Sequence, residues 1–179
     1  MIGVLVSGAG TNLQALIDAG LPIAAVASNQ PGVLALERAE RAGIPAGVFP
    51  LDDYEDRAGR DVAMASWLET HGASAIVCAG YMHVLTPVFL ERFPERILNV
   101  HPSLLPAFPG THAVDDALAA GVRETGVTVH VVDEGVDTGP VVAQERVAIL
   151  EDDTRDTLLE RLHAVEHRLL PTAVREWLR

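Results

Sequence analysis

The chain has 179 residues, 49% of them hydrophobic, and carries 13 Lys and Arg against 25 Asp and Glu for a formal net charge of -12. That size and apolar share suit one domain, 1–179, with a sizeable core, and the acidic balance without any basic run excludes the clustered positive charge that a nucleic-acid partner needs. The lone cysteine, Cys78, rules out an internal disulfide framework. No stretch reaches the roughly 18 apolar residues of a membrane span, and MIGVLVSGAG reads as a first strand rather than a leader, so a reducing cytoplasmic setting with no membrane partner is expected.

Residues 2–6 form a short apolar run that stops at Ser7-Gly8-Ala9-Gly10, and Thr11-Asn12 opens a helix with Leu13, Leu16 and Ile17 on one face. A second strand at 23–27 leads to a helix over 33–42, closed by Gly43. Val48-Phe49 is a third short strand, and Asp52-Asp53 is the expected cap of a helix carrying Val62, Ala65 and Leu68. The continuous apolar run 75–79 predicts a strand buried on both faces. A loop over 80–85 follows, then a short helix begun by Thr86-Pro87.

The fifth strand, 97–100, runs into the segment ILNVHPSLLPAFPGTH. Side chains alternate along a strand, so Asn99 and His101 share one face, and Pro102, Pro106 and Pro109 prevent any regular ladder beyond them. A helix over 114–120, strands at 127–132 and 141–147, and a long helix from Thr154 toward Leu178 complete the chain. Alternation of strand and helix through the first two thirds predicts an α/β fold, Rossmann-like, with a mostly parallel sheet, helices on both faces and an antiparallel C-terminal portion.

Several groups stand out chemically. A carboxamide and an imidazole at the carboxyl end of a strand suit oxyanion stabilisation and proton transfer, and open α/β sheets place ligands at that end. Ser103 lies close to His101 but no GxSxG elbow surrounds it, which disfavours a Ser-His hydrolase. SGAGTN lacks the Gly-Lys-Ser/Thr of a Walker loop and has Leu13 where a dinucleotide fingerprint needs glycine; it serves equally as a plain turn or an anion cradle. Asp137, in the turn-rich DEGVDTGPV, is either a solvated loop acid or a partner for His101 if its loop returns to the same sheet end. Glu166 interrupts the stripe Leu159, Leu162, Leu169 and either has a buried partner or tilts into solvent. Met82, Val84 and Leu85 read as core or as a pocket wall. His71, His163 and His167 look like helix-surface residues, whereas His112 and His130 fall near the suspected site. A zinc site of His101, His112 and Asp137 is conceivable, but no HxH or HExxH pair supports it, so no metal is expected.

The segments SGAGTNLQALID, AGYMHVLTP, LNVHPSLLPAFPGTHA, GVTVHVVDEGVDTGPVVAQ and VEHRLLP are similar, in order and spacing, to the phosphoribosylglycinamide formyltransferases, within the folate-dependent formyltransferase superfamily. The resemblance implies formyl transfer from 10-formyltetrahydrofolate, as co-substrate, to the amine of a glycinamide ribose phosphate, by a monomer or homodimer acting on small molecules. It implies Asn99, His101 and Asp137 as the catalytic trio, and Gly10, Thr11 and Asn12 on the substrate phosphate. It further implies Glu166 on the substrate, and a folate site of Arg57, Met82, His83, Val84, Leu85, Asn99 and the loop 133–137. His83 stands where many members carry arginine; Val114 and Ala107 depart from a frequent histidine and a frequent basic residue. Alternatives are a formyltetrahydrofolate hydrolase, a methionyl-tRNA formyltransferase, which the acidity opposes, and a non-catalytic phosphosugar-binding domain.

Overall fold

A computed structural model describes residues 1–179. Its seven strands make one sheet in the order β3-β2-β1-β4-β5-β6-β7, flanked by helices, which is the mostly parallel, Rossmann-like α/β class expected from the sequence. The chain divides into two compact units, Met1–Leu98 and Asn99–Arg179, with the boundary inside β5 (Ile97–His101).

In the first unit β1 (Ile2–Val6) pairs in parallel with β2 (Ile23–Ser28) and β4 (Ala75–Cys78), and β2 with β3 (Ala46–Val48). The residues of β1, β2 and β4 are buried throughout, as continuous apolar runs require when a parallel strand is covered on both faces. Gly3 lets neighbouring side chains approach closely: a Cβ there would lie 2.9 Å from Leu68 Cδ2. Cys78 is buried, and its burial pushes the thiol up to about 12. Helix α1 (Thr11–Asp18) follows β1, and α2 (Leu34–Arg41) ends as expected before Gly43, whose φ is +68°.

The expected cap of α3 is corrected. Asp52 and Asp53 stand in a separate 3-10 turn, Leu51–Asp53, and α3 runs Arg57–Thr70 with Asp56 as its cap, accepting the Gly59 N–H at 2.7 Å. The buried face also differs: Ala65 and Leu68 are buried with Met64, Arg60 and Asp61, whereas Val62 is exposed. A short α4 (Pro87–Leu90) begins at Thr86 as expected.

In the second unit α5 (Ala113–Ala119) precedes β6 (Glu124–Val131), which pairs antiparallel with β7 (Val141–Ala148). Strand β6 starts earlier than its apolar run: Glu124 and Thr125 already pair with Ala148 and Val147 in the ladder, and an exposed Glu124–Arg146 ion pair lies diagonally across it. Helix α6 (Arg155–Trp177) packs on β6 and β7. Its start is a capping box in which Thr154 N–H donates to Thr157 Oγ1 at 3.0 Å and Thr157 N–H to Thr154 Oγ1 at 3.3 Å. The buried stripe is Leu158, Leu162, Val165, Glu166, Leu170 and Val174, with Leu159 and Leu169 at its margins, so it is rotated from the one expected. Glu166 thus lies within the stripe, 5% exposed, and does not tilt into solvent. No helix is long and apolar enough to cross a membrane.

Candidate active site

Residues of the second unit bring two strands and two loops to one carboxylate. Asn99 and His101 alternate with buried Leu98 and Val100 in β5, so both polar groups emerge on one face. His101 is 5% exposed; its Nε2 lies 2.8 Å from the Phe108 carbonyl, which fixes a proton on that nitrogen, and its Nδ1 lies 3.4 Å from Asp137 Oδ2. Asp137 Oδ2 also accepts the Gly110 N–H at 2.8 Å. Its other oxygen, Oδ1, faces Asn99 Nδ2 and His130 Nε2, each at 3.4 Å. Asp137 thus lies against His101 with its side chain 12% exposed, rather than out in solvent.

His130 is the residue that reading the sequence left out of the trio. It is 2% exposed, its Nδ1 donates to the Val131 carbonyl at 3.0 Å, and its Nε2 then accepts from Asn99 Nδ2 at 3.2 Å. The signal was present, since Thr128 and His130 share a face in an apolar run as Asn99 and His101 do. His112, by contrast, is exposed at the start of α5 and belongs to no such cluster.

Asp137 adopts a left-handed backbone, φ 55°, in a loop tied by Asp133, whose Oδ1 accepts from Gly135 N–H at 3.0 Å and Thr138 Oγ1 at 2.7 Å. Burial pushes the Asp137 carboxyl up. His130 (when it holds a proton on Nε2), the Gly110 N–H and the charge of His101 outweigh that and bring it below the ordinary carboxylate value. The proline loop is anchored separately. Thr128 Oγ1 donates to the Ser103 carbonyl at 2.7 Å and Gln144 Nε2 to the Leu105 carbonyl at 3.0 Å. Ser103 is fully buried and gives its hydroxyl to the Ala107 carbonyl at 2.6 Å, which removes it as a nucleophile.

The first unit holds Gly10, Thr11, Asn12, Arg57 and the loop after β4. Gly10 caps α1 with φ 70° and no side-chain cap, and a Cβ there would meet Ala35 Cβ at 2.6 Å. The turn is held from α2, where Ala35 N–H donates to the Gly8 carbonyl at 3.1 Å and Arg38 Nε to the Ala9 carbonyl at 2.9 Å. Thr11 is half-buried and Asn12 buried. Together these leave the amino end of a helix beside a guanidinium, an arrangement suited to an anion. Arg57 is exposed at the first position of α3.

The loop after β4 divides: Met82 and Val84 are 62% and 52% exposed, whereas Leu85 is buried at 7%. Beneath it lies a buried ion pair that apolar periodicity had no means to reveal. Arg60 donates from Nε and Nη2 to Asp61 Oδ1 at 2.9 and 2.7 Å, and Asp61 Oδ2 accepts the N–H and hydroxyl of Thr86 at 2.8 and 2.7 Å. Both charged side chains are wholly inaccessible.

An α/β sheet whose strand ends gather a carboxamide, two imidazoles and a carboxylate defines a protein built for proton transfer and for holding a developing negative oxygen. The family described as formyl transferase matches residues 1–174, and the chain belongs to it. It is 47% identical to the phosphoribosylglycinamide formyltransferase of Mycobacterium tuberculosis over 96% of this chain and 81% of that protein. It is also 47% identical to the trifunctional purine biosynthetic protein adenosine-3 of Chironomus tentans, covering 97% of this chain but spanning only 13% of that much longer protein. The glycinamide ribonucleotide transformylase 1 structure from Symbiobacterium toebii superposes with a TM-score of 0.95 at 46% identity, over 97% of this chain and 85% of that one.

Proposed function

We propose that the chain, acting as one formyltransferase domain over 1–179, transfers the formyl group of 10-formyltetrahydrofolate to the amine of 5-phosphoribosylglycinamide. The observation that carries this reading is the convergence of Asn99, His101 and Asp137, since direct acyl transfer to an amine needs an oxyanion donor and a route for one proton. The amine nitrogen attacks the formyl carbon and the carbonyl oxygen becomes negative. Collapse forms the new amide, breaks the bond from carbon to the folate nitrogen, and leaves that nitrogen with the proton the amine has lost.

Protonated His101 keeps its Nε2–H on the Phe108 carbonyl and offers the oxygen its Nδ1–H, whose contact with Asp137 Oδ2 is the longer one at 3.4 Å. The Asp137 charge supports the imidazolium and orders a water that relays the proton. Asn99 offers the oxyanion the hydrogen now on its longer contact, 3.4 Å to Asp137 Oδ1, while keeping the one on His130. Gly10, Thr11 and Asn12 take the substrate phosphate, with the uncapped start of α1 as support. Glu166 contacts the substrate. Arg57, Met82, His83, Val84, Leu85 and Asn99 serve the folate, and the exposure of Met82 and Val84 supports an apolar contact there. No metal enters the scheme, and the setting proposed is cytoplasmic.

The test is loss of the folate formyl group with and without the ribonucleotide, for the native protein and His101→Ala. Turnover that needs the ribonucleotide and falls about a thousandfold or more in the variant is expected. Formate release without the ribonucleotide would make the protein a hydrolase. Ribonucleotide binding with no folate reaction would leave a phosphosugar-binding domain.

A further inference from the structure

His83 is held in a way that admits only one protonation state. Its Nδ1 lies 2.6 Å from Nη1 of the buried Arg60. A guanidinium has donors only, so Nδ1 accepts and the single ring proton sits on Nε2. Nε2 is 3.3 Å from the Asn29 side-chain amide, whose other end is 2.6 Å from Ser7 Oγ. With the amide oxygen turned to His83 and its nitrogen to Ser7, the His83 Nε2–H and the Asn29 amide each meet an acceptor; the opposite orientation sets the Asn29 amide N–H against the His83 Nε2–H. Ser7 Oγ then also accepts the Met82 N–H at 2.9 Å. The loop 80–85 is thus fastened at Met82 through Ser7 and Asn29, and at His83 through Arg60.

We propose that His83 is a positioning residue: its neutral imidazole, wedged between Arg60 and Asn29, clasps the loop 80–85, and protonation of His83 frees that loop. A second proton would sit on Nδ1, pointing at a guanidinium that cannot give up its charge. The groups facing the ring are Arg60 and Asp61 within α3, Arg57 at its start, and the Tyr81 ring 6.0 Å away edge-on. Desolvation first, then Arg60 and Arg57, lower the imidazole from its ordinary value, and Asp61 only partly opposes them. Because the clasped form rejects the proton that the free loop accepts, the clasp is intact above the ordinary histidine value and weakens as pH falls below it. The consequence for donor affinity rests on the folate assignment made above.

Two readouts on the intact protein test this. Amide exchange over 81–85, corrected for the intrinsic rate, should lose about tenfold protection between about pH 7.5 and 5.5, the factor set by an open-loop histidine near 6.5. The dissociation constant for tetrahydrofolate should rise in parallel. In His83→Asn, whose Oδ1 replaces Nδ1 as the acceptor for Arg60 and does not titrate, both changes should vanish; His83→Gln serves if that variant misfolds. Equal protection at the two pH values, or an equal loss in the variant, would overturn the clasp. Lost protection with unchanged tetrahydrofolate affinity would overturn the positioning role. No tetrahydrofolate binding at either pH would overturn the folate assignment, while exchange still decides the clasp.

Discussion

His101 and His83 are the same side chain in opposite surroundings. His101 has acceptors at both ring nitrogens, the Phe108 carbonyl at 2.8 Å and Asp137 Oδ2 at 3.4 Å. His83 has the Arg60 guanidinium at 2.6 Å on one side and an amide on the other. The first setting can satisfy two N–H donors, the second only one. A histidine's role is therefore written by what faces its nitrogens, more than by its depth in the fold. The carboxylates differ in the same sense. Asp137 meets neutral or titratable donors, whereas Asp61 meets a permanent cation with both charges fully buried.

If that contrast is right, Asp137→Asn should reduce formyl transfer about a thousandfold, near 4 kcal/mol of transition-state stabilisation, while urea unfolding changes little. A variant that unfolds as readily as it loses activity would erase the distinction. Arg60→Met should act in the reverse sense, because it strands a buried carboxylate. A loss of about 3 kcal/mol in unfolding free energy is expected. Stability within about 1 kcal/mol of the native protein would mean that Asp61 finds another cation or takes up a proton.

The smallest effect sharpens the comparison by pH. The Asp137 carboxyl is held below the ordinary carboxylate value in the folded protein, so its contribution is full above that value and is lost as pH falls through the lowered one. Unfolding free energy followed down from about pH 5 should therefore slope less steeply in Asp137→Asn than in the native chain. Parallel curves would remove Asp137 from the acid response.

The strands were legible because β1, β2 and β4 are unbroken apolar runs, and the Asn99–His101 pair because a strand alternates faces. Asp137 was legible only through resemblance, since a turn-rich acidic loop looks the same whether or not it folds back on a sheet end. His130 was placed near the suspected site but given no part in it, although it carries the same period-two signal. Arg60 and Asp61 gave none: adjacent charges on a helix imply a solvated face, and only the tertiary contacts with Thr86 and His83 reverse that. The stripe of α6 was misplaced by one residue, because leucines at neighbouring positions fit two faces equally well, and burial selected Leu158 and Leu170 over Leu159 and Leu169.

Cys78 gives the molecule a built-in clock. It is the only thiol in the chain, sits at the end of a central strand, and is held almost wholly protonated by its burial. Alkylating reagents need a thiolate they can reach. Their rate on the native protein therefore counts openings of the sheet and nothing on its surface. Ligands that tighten the first unit should slow that labelling in proportion to the time the sheet stays shut, with no engineered probe required.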